Sequence, residues 1–410
     1  MIACIDVYSY TLFACVIYAV MIIINRNIKT LALISCRKYV ANFVVNIKNV
    51  VFVYMNNAPK YTITDKIRFN VKETENLKNS FFGSRILPEV KTSIRYRASA
   101  ESIHSSTSIE GNPLNINEVR ALVYSDKILS KEEYAEIEVQ NYKNALGFIS
   151  KRRHIEASLS IVDILELHRI ITDRLLDKTR NGKLRHNSAY IENQDGEIVY
   201  GGAAVEDLAF ELNSLLFYID DGQFSVHPVL LAGILHFKLV AIRPFSDGNG
   251  RTARAATPLF LALNLYDCNG ALALGSYYSI DKKIYYAILQ PINGKDYAYL
   301  KNAYITAWLE YFTDGSLSSL HVLNAEIRML NLSLSTGDSN VGLSRENEDI
   351  LSYVAKFSSI NISEAEDILP EMNRRSIQRR LKQLVDDGYL EAVGATHEAK
   401  YILPIDSKKD

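Results

Sequence analysis

Residues 229–242 read VLLAGILHFKLVAI, and a helix built from them is apolar on nearly all sides. Such a helix has no face to offer water, so it belongs at the centre of its domain with partners all round. From about residue 70 the rest of the chain supplies those partners, because the helical period dominates. Residues 132–149 place Tyr134, Ile137, Tyr142 and Leu146 near one face, and residues 160–176 do the same with Ile161, Ile164, Leu165, His168, Ile171 and Leu175. Further helices are expected at 205–219, 282–294 and 297–312. The exception is NSAYIENQDGEIVYGG at 187–202. Two strand-like runs flank Gln194-Asp195-Gly196 there, which reads as a β-hairpin. The fold class is mainly α, with one hairpin flap.

The chain has 410 residues, enough for about two or three domains. With 48% apolar and 23% charged residues it reads as ordinary globular protein. The formal net charge of −1 excludes a global field for nucleic acid, so any basic surface is local. Cys4, Cys15 and Cys36 precede the body and only Cys268 lies within it, so neither a disulfide framework nor a metal-ligand spacing can be built. The body reads as cytoplasmic.

Residues 1–54 differ from the remainder. VYSYTLFACVIYAVMIII at 7–24 has no charge and reaches the lower edge of membrane-spanning length. Arg26, Lys29, Arg37 and Lys38 follow it, a bias that would leave the body in the cytoplasm as a single-pass anchored protein. The preferred reading is that Met55 opens the conventional sequence and that 1–54 is a misassigned extension.

Residues 313–340 read as a linker with one helix near 321–332. Beyond it, 341–410 reads as three helices and two short strands around Gly394-Ala395-Thr396, a winged helix-turn-helix. Its third helix carries Arg374, Arg375, Arg379, Arg380 and Lys382 beside Ile377, Leu381 and Leu384. Five cations on one short helix of a nearly neutral chain favour DNA over a merely solvated face, while winged helices also dock proteins.

The stretch IRPFSDGNGRTAR at 242–254 carries the chemistry. Gly248 and Gly250 permit positive φ, so backbone N–H groups can converge on an anion, and a helix beginning there adds positive potential. Arg251 and Arg254 share a helix face suited to forked phosphate contacts. Asp247 is able to hold Mg²⁺, which usually takes one or two carboxylates plus phosphates. No Gly-Lys-Ser/Thr follows, so this is no P-loop. On DGNGRTAR alone, a solvated loop between two helices stands level with this reading. SSTSIEGN at 105–112 adds Glu110 just before Gly111, a helix end where a carboxylate needs a cation, and Arg254 is the candidate.

Taken together, RPFSDGNGRTAR resembles the signature of the Fic domain family, His-Pro-Phe-x-Asp/Glu-Gly-Asn-Gly-Arg-x-x-Arg. SSTSIEGN resembles that family's inhibitory motif, with Ser106, Glu110 and Gly111 in register. Ala189, Tyr190, Ile191 and Glu192 resemble its flap over a target peptide. Tyr285, Tyr286 and Asn293 resemble its adenine-side segment, and His227-Pro228 and His236 stand where relatives often have a His-Pro pair and a helix histidine. The likeness runs from about residue 60 to 405. It implies a Fic-type helical domain: 55–150 as an associated region with the inhibitory motif, and 151–312 as the core. It implies transfer of AMP from ATP to a hydroxyl of a target protein, with ATP and Mg²⁺ bound. Asp247 would bind Mg²⁺, and Gly248, Asn249 and Gly250, with Thr252 and Ala253 on the same turn, would cradle phosphates. Arg251 would hold them, and Arg254 would meet the γ-phosphate unless Glu110 occupies it. The partners implied are a target protein, this chain included, a second copy of the chain, DNA through the winged helix, and a membrane only if 7–24 is a true anchor.

Four positions depart from the pattern. The family's catalytic histidine is here Arg243, which donates hydrogen bonds and accepts no proton. Gly201-Gly202 stands where relatives often have two prolines, which would loosen the hairpin's return. Pro258 would kink the helix near Arg254. Two readings therefore stay open: an autoinhibited, impaired adenylyltransferase, and an ATP-binding pseudoenzyme acting as a regulatory DNA- or protein-binding module.

Overall fold

The computed structural model describes residues 59–402 apart from 85, 87, 125–133, 156–157, 193–197, 224, 290–296, 298–302, 337–344, 358, 387–388 and 394–398. The segment 7–24 and Asn293 lie outside the described residues, as do the tips of both hairpins. Among the described residues no helix is long and apolar enough to cross a membrane.

The helix expected at the centre is there. α7 (Pro228–Ile242) buries every residue from Val229 to Leu239. His227 caps it through Nδ1, and Pro228 sits at its first position, where the missing N–H costs nothing. α6 (Leu208–Gly222), α8 (Asn249–Leu263) and α11 (Thr306–Thr336) pack around it. Gly233 lets α11 approach closely, because a Cβ there would lie 2.9 Å from Leu309 and 3.1 Å from Phe312. The indole of Trp308 closes the contact by donating to the Gly233 carbonyl at 2.8 Å.

The other helices form an outer layer. α1 (Asp65–Gly83) lies along α11; α2 (Pro88–Ile109) lies on α4 (Tyr134–Arg152) and α9 (Leu274–Ile280). α3 (Ile116–Tyr124) bridges α2 and α4, and α5 (Ile161–Ile171) packs on α4 and α8. A capping box between Ser160 and Asp163 starts α5. α10 (Lys282–Leu289) follows α9. The hairpin is β1 (Tyr190–Glu192) against β2 (Ile198–Gly201), antiparallel, with Ile191 opposite Tyr200.

After α11 come α12 (Arg345–Phe357), α13 (Ile362–Ile368) and α14 (Arg374–Asp386), then β3 (Glu391–Val393) paired antiparallel with β4 (Lys400–Ile402). Ile350, Val354, Ile360, Ala365, Ile377, Leu381 and Leu384 form a core separate from that around α7. In this part of the chain three helices thus precede one antiparallel strand pair.

Three local expectations are corrected. Residues 313–336 are no linker, since α11 runs through them unbroken. Its Ser- and Thr-rich sequence lacks a strong stripe of its own, and packing on α1 and α2 holds it helical. Tyr134 is 56% exposed, because the buried face of α4 runs instead through Ile137, Glu138, Asn141, Tyr142, Ala145 and Ile149. Leu175 lies beyond the end of α5, past Arg174 at φ 59°.

Candidate active site

Two central helices define the site. α7 ends at Arg243, in the left-handed region at φ 49°, and α8 begins after Gly248 at φ 74°. The intervening loop is folded by Asn249. Its Oδ1 accepts from the Phe245 N–H at 2.9 Å, and its Nδ2 donates to the Phe245 carbonyl at 2.8 Å. Asn249 thus closes the loop on itself rather than reaching outward, and the cradle is left to backbone and arginines. Gly248 is required by its φ and by crowding, for a Cβ there would lie 2.8 Å from Thr172.

His168, on the buried face of α5, supports the loop from below. Its ring stacks on Phe245 with centroids 3.7 Å apart and planes 3° apart. Nδ1 accepts from the Gly182 N–H at 3.0 Å, which leaves the proton on Nε2, 3.0 Å from the Asp247 carbonyl oxygen. Burial lowers its pKa to about 4, so the ring is neutral near pH 7.

The segment that carries Ser106 and Glu110 meets the loop at Arg254. Arg254 is 4% exposed; its Nε donates to Ser106 Oγ at 3.1 Å, and Nη2 donates to the Ser106 carbonyl at 3.1 Å and to Glu110. Burial would raise the Glu110 pKa, but Arg254, then Arg251 and Arg243, hold it below the usual carboxylate range. Burial likewise opposes the charge on Arg254, and Glu110 outweighs it, so its pKa is raised. A Cβ at Gly250 would strike Glu110 and lie 3.0 Å from Arg254 Nη1, so only glycine leaves this corner open.

Behind the loop, Arg251 pairs with Glu138, both side chains being 6% exposed. Asp247 is more open: Oδ1 accepts from the Gly248 N–H at 2.6 Å, and Oδ2 lies 3.8 Å from Arg251. Among the described residues no group of three or more His, Cys, Asp or Glu could hold a metal. Asp247 is a single carboxylate, the kind of donor that Mg²⁺ uses when phosphates complete its shell.

Arg243 sits where the flap returns. The Arg185 Nε–H donates to its carbonyl at 2.7 Å, and the Ala203 N–H donates to the Ile242 carbonyl at 3.1 Å. Tyr200 donates to the Ala241 carbonyl at 2.5 Å. A Cβ on Gly202 would lie 3.0 Å from both Arg243 Cβ and the Ile242 oxygen. The expectation of a loosened return is therefore corrected: Gly202 allows a close junction that these bonds hold. Helix α8 also continues through Pro258. Burial lowers the Arg243 pKa, against Tyr200, Glu110 and Asp247.

The flap and adenine-side residues divide. The Ala189 carbonyl accepts from Gly202, and Tyr190 is 51% exposed on β1 with Ile191 and Glu192 following. Tyr286 is partly exposed, but Tyr285 is buried with its hydroxyl 2.8 Å from His236 Nε2. Thr257 donates to the Ala253 carbonyl, so its oxygen accepts from His236 Nδ1 at 3.0 Å. That order makes Tyr285 the donor to Nε2. His236 is fully buried with its pKa lowered to about 3 by burial and by Arg254, so it has no access to a reacting hydroxyl.

Sequence reading missed Glu138, Asn112, His168 as a brace, and Arg185. A signal existed for Glu138: a carboxylate between Ile137 and Val139, on a helix face shared with Tyr142 and Ala145.

Residues 158–261 match the Fic/DOC family. Over 166 residues the chain is 31% identical to "Protein adenylyltransferase fic-1" of Caenorhabditis briggsae, covering 39% of this chain and 31% of that one. It is 30% identical over 162 residues to "Protein adenylyltransferase Fic" of Aedes aegypti, covering 38% and 30%. The chain thus spans under a third of the length of these curated relatives. Among solved structures, a Fic family protein from Desulfovibrio desulfuricans G20 superposes with TM-score 0.53 at 18% identity, over 86% of this chain and 100% of that one. A Fic domain containing signaling protein from Bacteroides thetaiotaomicron does so with TM-score 0.53 at 22% identity, over 63% and 97%. The matched segment spans α5 to α8 and holds the signature loop between the two central helices, so it is residues 158–261 of this chain that are similar to the Fic/DOC family.

Proposed function

We propose that the chain is a Fic-type protein adenylyltransferase that binds Mg·ATP at the 247–254 loop, is held off by Glu110, and is impaired because Arg243 replaces the base. The observation that carries the binding is a set of unsatisfied donors. Of the eight buried side-chain polar atoms without a hydrogen-bond partner among the described residues, four lie within one short stretch: Arg243 Nε, Arg251 Nε, Thr252 Oγ1 and Arg254 Nη1. Native proteins seldom bury such groups unpaired, and a polyphosphate satisfies donors of this kind.

ATP supplies an α-phosphorus to which the target oxygen bonds as the bond to pyrophosphate breaks. The chain's own residues would position and neutralise charge: Asp247 would hold the metal, the α8 N-terminus and Arg251 would face the phosphates, and Arg254 would meet the terminal one once Glu110 withdraws. The hydroxyl proton then lacks a histidine acceptor, since Arg243 stands in that place and accepts none, and His236 is sealed in the core.

That same deficit favours a second reading, an ATP-binding module whose output runs through the C-terminal unit. One experiment separates the two. The purified full chain and its Glu110→Gly form are incubated with Mg·ATP, followed by calorimetry and intact mass. Binding with a mass gain of one AMP supports the transferase, and binding without it supports the module. No binding at millimolar ATP removes the nucleotide site.

A further inference from the structure

The turn that carries Glu110 is anchored a second time. Two residues on, the Asn112 side-chain N–H donates to Glu138 Oε2 at 2.8 Å and to the Ala135 carbonyl at 2.9 Å. The other oxygen of Glu138 takes the Arg251 guanidinium. Asn112 and Glu138 are 8% and 6% exposed, so neither bond competes with bulk water. The segment Glu110–Asn112 therefore grips both arginines of the loop, Arg254 through its own carboxylate and Arg251 through Glu138.

We infer that Glu138 and Asn112 are positioning residues that make the restraint a clamp on two arginines rather than a contact with one. The clamp rests on the nucleotide reading above. Glu138 fixes Arg251 by one end of its guanidinium, which leaves the unpartnered Nε for a phosphate oxygen. Asn112 ties that carboxylate to the Glu110 turn, so holding Glu110 on Arg254 and holding Arg251 in place are one event. Withdrawing the turn frees Arg254 and removes the Asn112 tie, while Glu138 stays on Arg251.

The test uses the full chain and measures adenosine, AMP, ADP and Mg·ATP affinity by calorimetry, with thermal unfolding alongside. Asn112→Ala leaves both carboxylates and both arginines in place and removes the tie, together with the bonds of this side chain to the Ala135 carbonyl and the Leu114 N–H, whose loss the thermal unfolding reads. It raises ATP affinity relative to ADP by about three- to tenfold, in the direction of Glu110→Gly, as a net hydrogen bond of ordinary strength requires. In the Glu110→Gly background it changes that ratio less than about twofold, because no carboxylate remains to be held on Arg254. Glu138→Gln keeps the shape and removes the charge; it weakens AMP, ADP and ATP together by about tenfold and leaves adenosine unmoved. Equal shifts for every ligand, or an Asn112→Ala effect that persists undiminished in the Glu110→Gly background, reduce both residues to fold support and overturn the clamp. If Glu110→Gly binds ATP and Asn112→Ala matches native, the clamp alone falls. If Glu110→Gly binds no ATP, the nucleotide reading falls and the clamp with it.

Discussion

The Nε2 proton of His168 points at the Asp247 carbonyl oxygen, 3.0 Å away, while the same ring lies flat on Phe245. A buried neutral histidine thereby supports the loop on which the cradle is built, and it makes stability depend on pH. The His168 pKa is about 4 in the fold, against 6.5 when unfolded. The unfolded chain binds the extra proton, so the contribution is complete above pH 6.5 and is lost as pH falls toward 4. For His168 alone this amounts to something on the order of 3 kcal/mol. His236, at about 3, acts in the same direction. The melting temperature should drop between pH 6.5 and 4, and His168→Gln should flatten part of that slope. A melting temperature indifferent to pH across this window would show that the ring is not buried as described.

Asn249→Ala removes both bonds to Phe245 and leaves a buried N–H and C=O unpaired. A stability loss of about 2 kcal/mol is expected, with nucleotide binding lost alongside because the loop no longer holds its shape. Denaturant unfolding and calorimetry on the same preparation check both. If binding were lost with stability unchanged, Asn249 would be a direct ligand instead.

Arg243→His, combined with Glu110→Gly, should give the fastest AMP labelling among the native chain, the two single variants and the double. A restored base is worth about 10²–10⁴-fold. Labelled ATP with autoradiography of the protein itself reads the order. Native labelling as fast as Arg243→His would place the base elsewhere.

Gly202→Ala sets a methyl 3.0 Å from Arg243 Cβ and the Ile242 oxygen. Overpacking at this junction should cost about 1–3 kcal/mol and loosen the flap. Limited proteolysis should cut between residues 187 and 202 sooner than in the native chain. Unchanged proteolysis and stability would mean the junction relaxes without cost.

On α14 the five cations separate. Arg374 pairs with Glu366 at 2.7 Å, and Arg380 contacts Asn347 at 3.0 Å and Glu346 at 3.5 Å. Arg375, Arg379 and Lys382 remain as an exposed stripe at helical spacing, opposite the buried Ile377, Leu381 and Leu384. If this face binds duplex DNA, Arg375→Ala, Arg379→Ala and Lys382→Ala should each make the log-log salt slope shallower by about one. Arg374→Ala should leave the slope alone. Equal effects from all four would argue against a specific stripe.

Much of the fold is legible from residue pattern, because it depends on periods shorter than one helix. An all-apolar run such as 229–242 has one place to go, and the glycines and arginines of 247–254 announce an anion loop. Even the Glu110–Arg254 pair could be named, since a carboxylate at a helix end needs a cation and the motif resemblance supplied one. What pattern could not convey depends on residues far apart in the chain. Glu138 meets Arg251 across more than a hundred positions, and His236 is sealed by Tyr285 and Trp308, which its own neighbours do not foretell. Residues 313–336 looked like a linker because their intrinsic preference is weak; α1 and α2, packed along them, decide that they are helix. Asn249 has the composition of a cradle residue, and only the closed loop shows its amide turned inward to Phe245. Side-chain direction at a buried site is settled by which partners the fold delivers, and those partners exist only once the helices have packed.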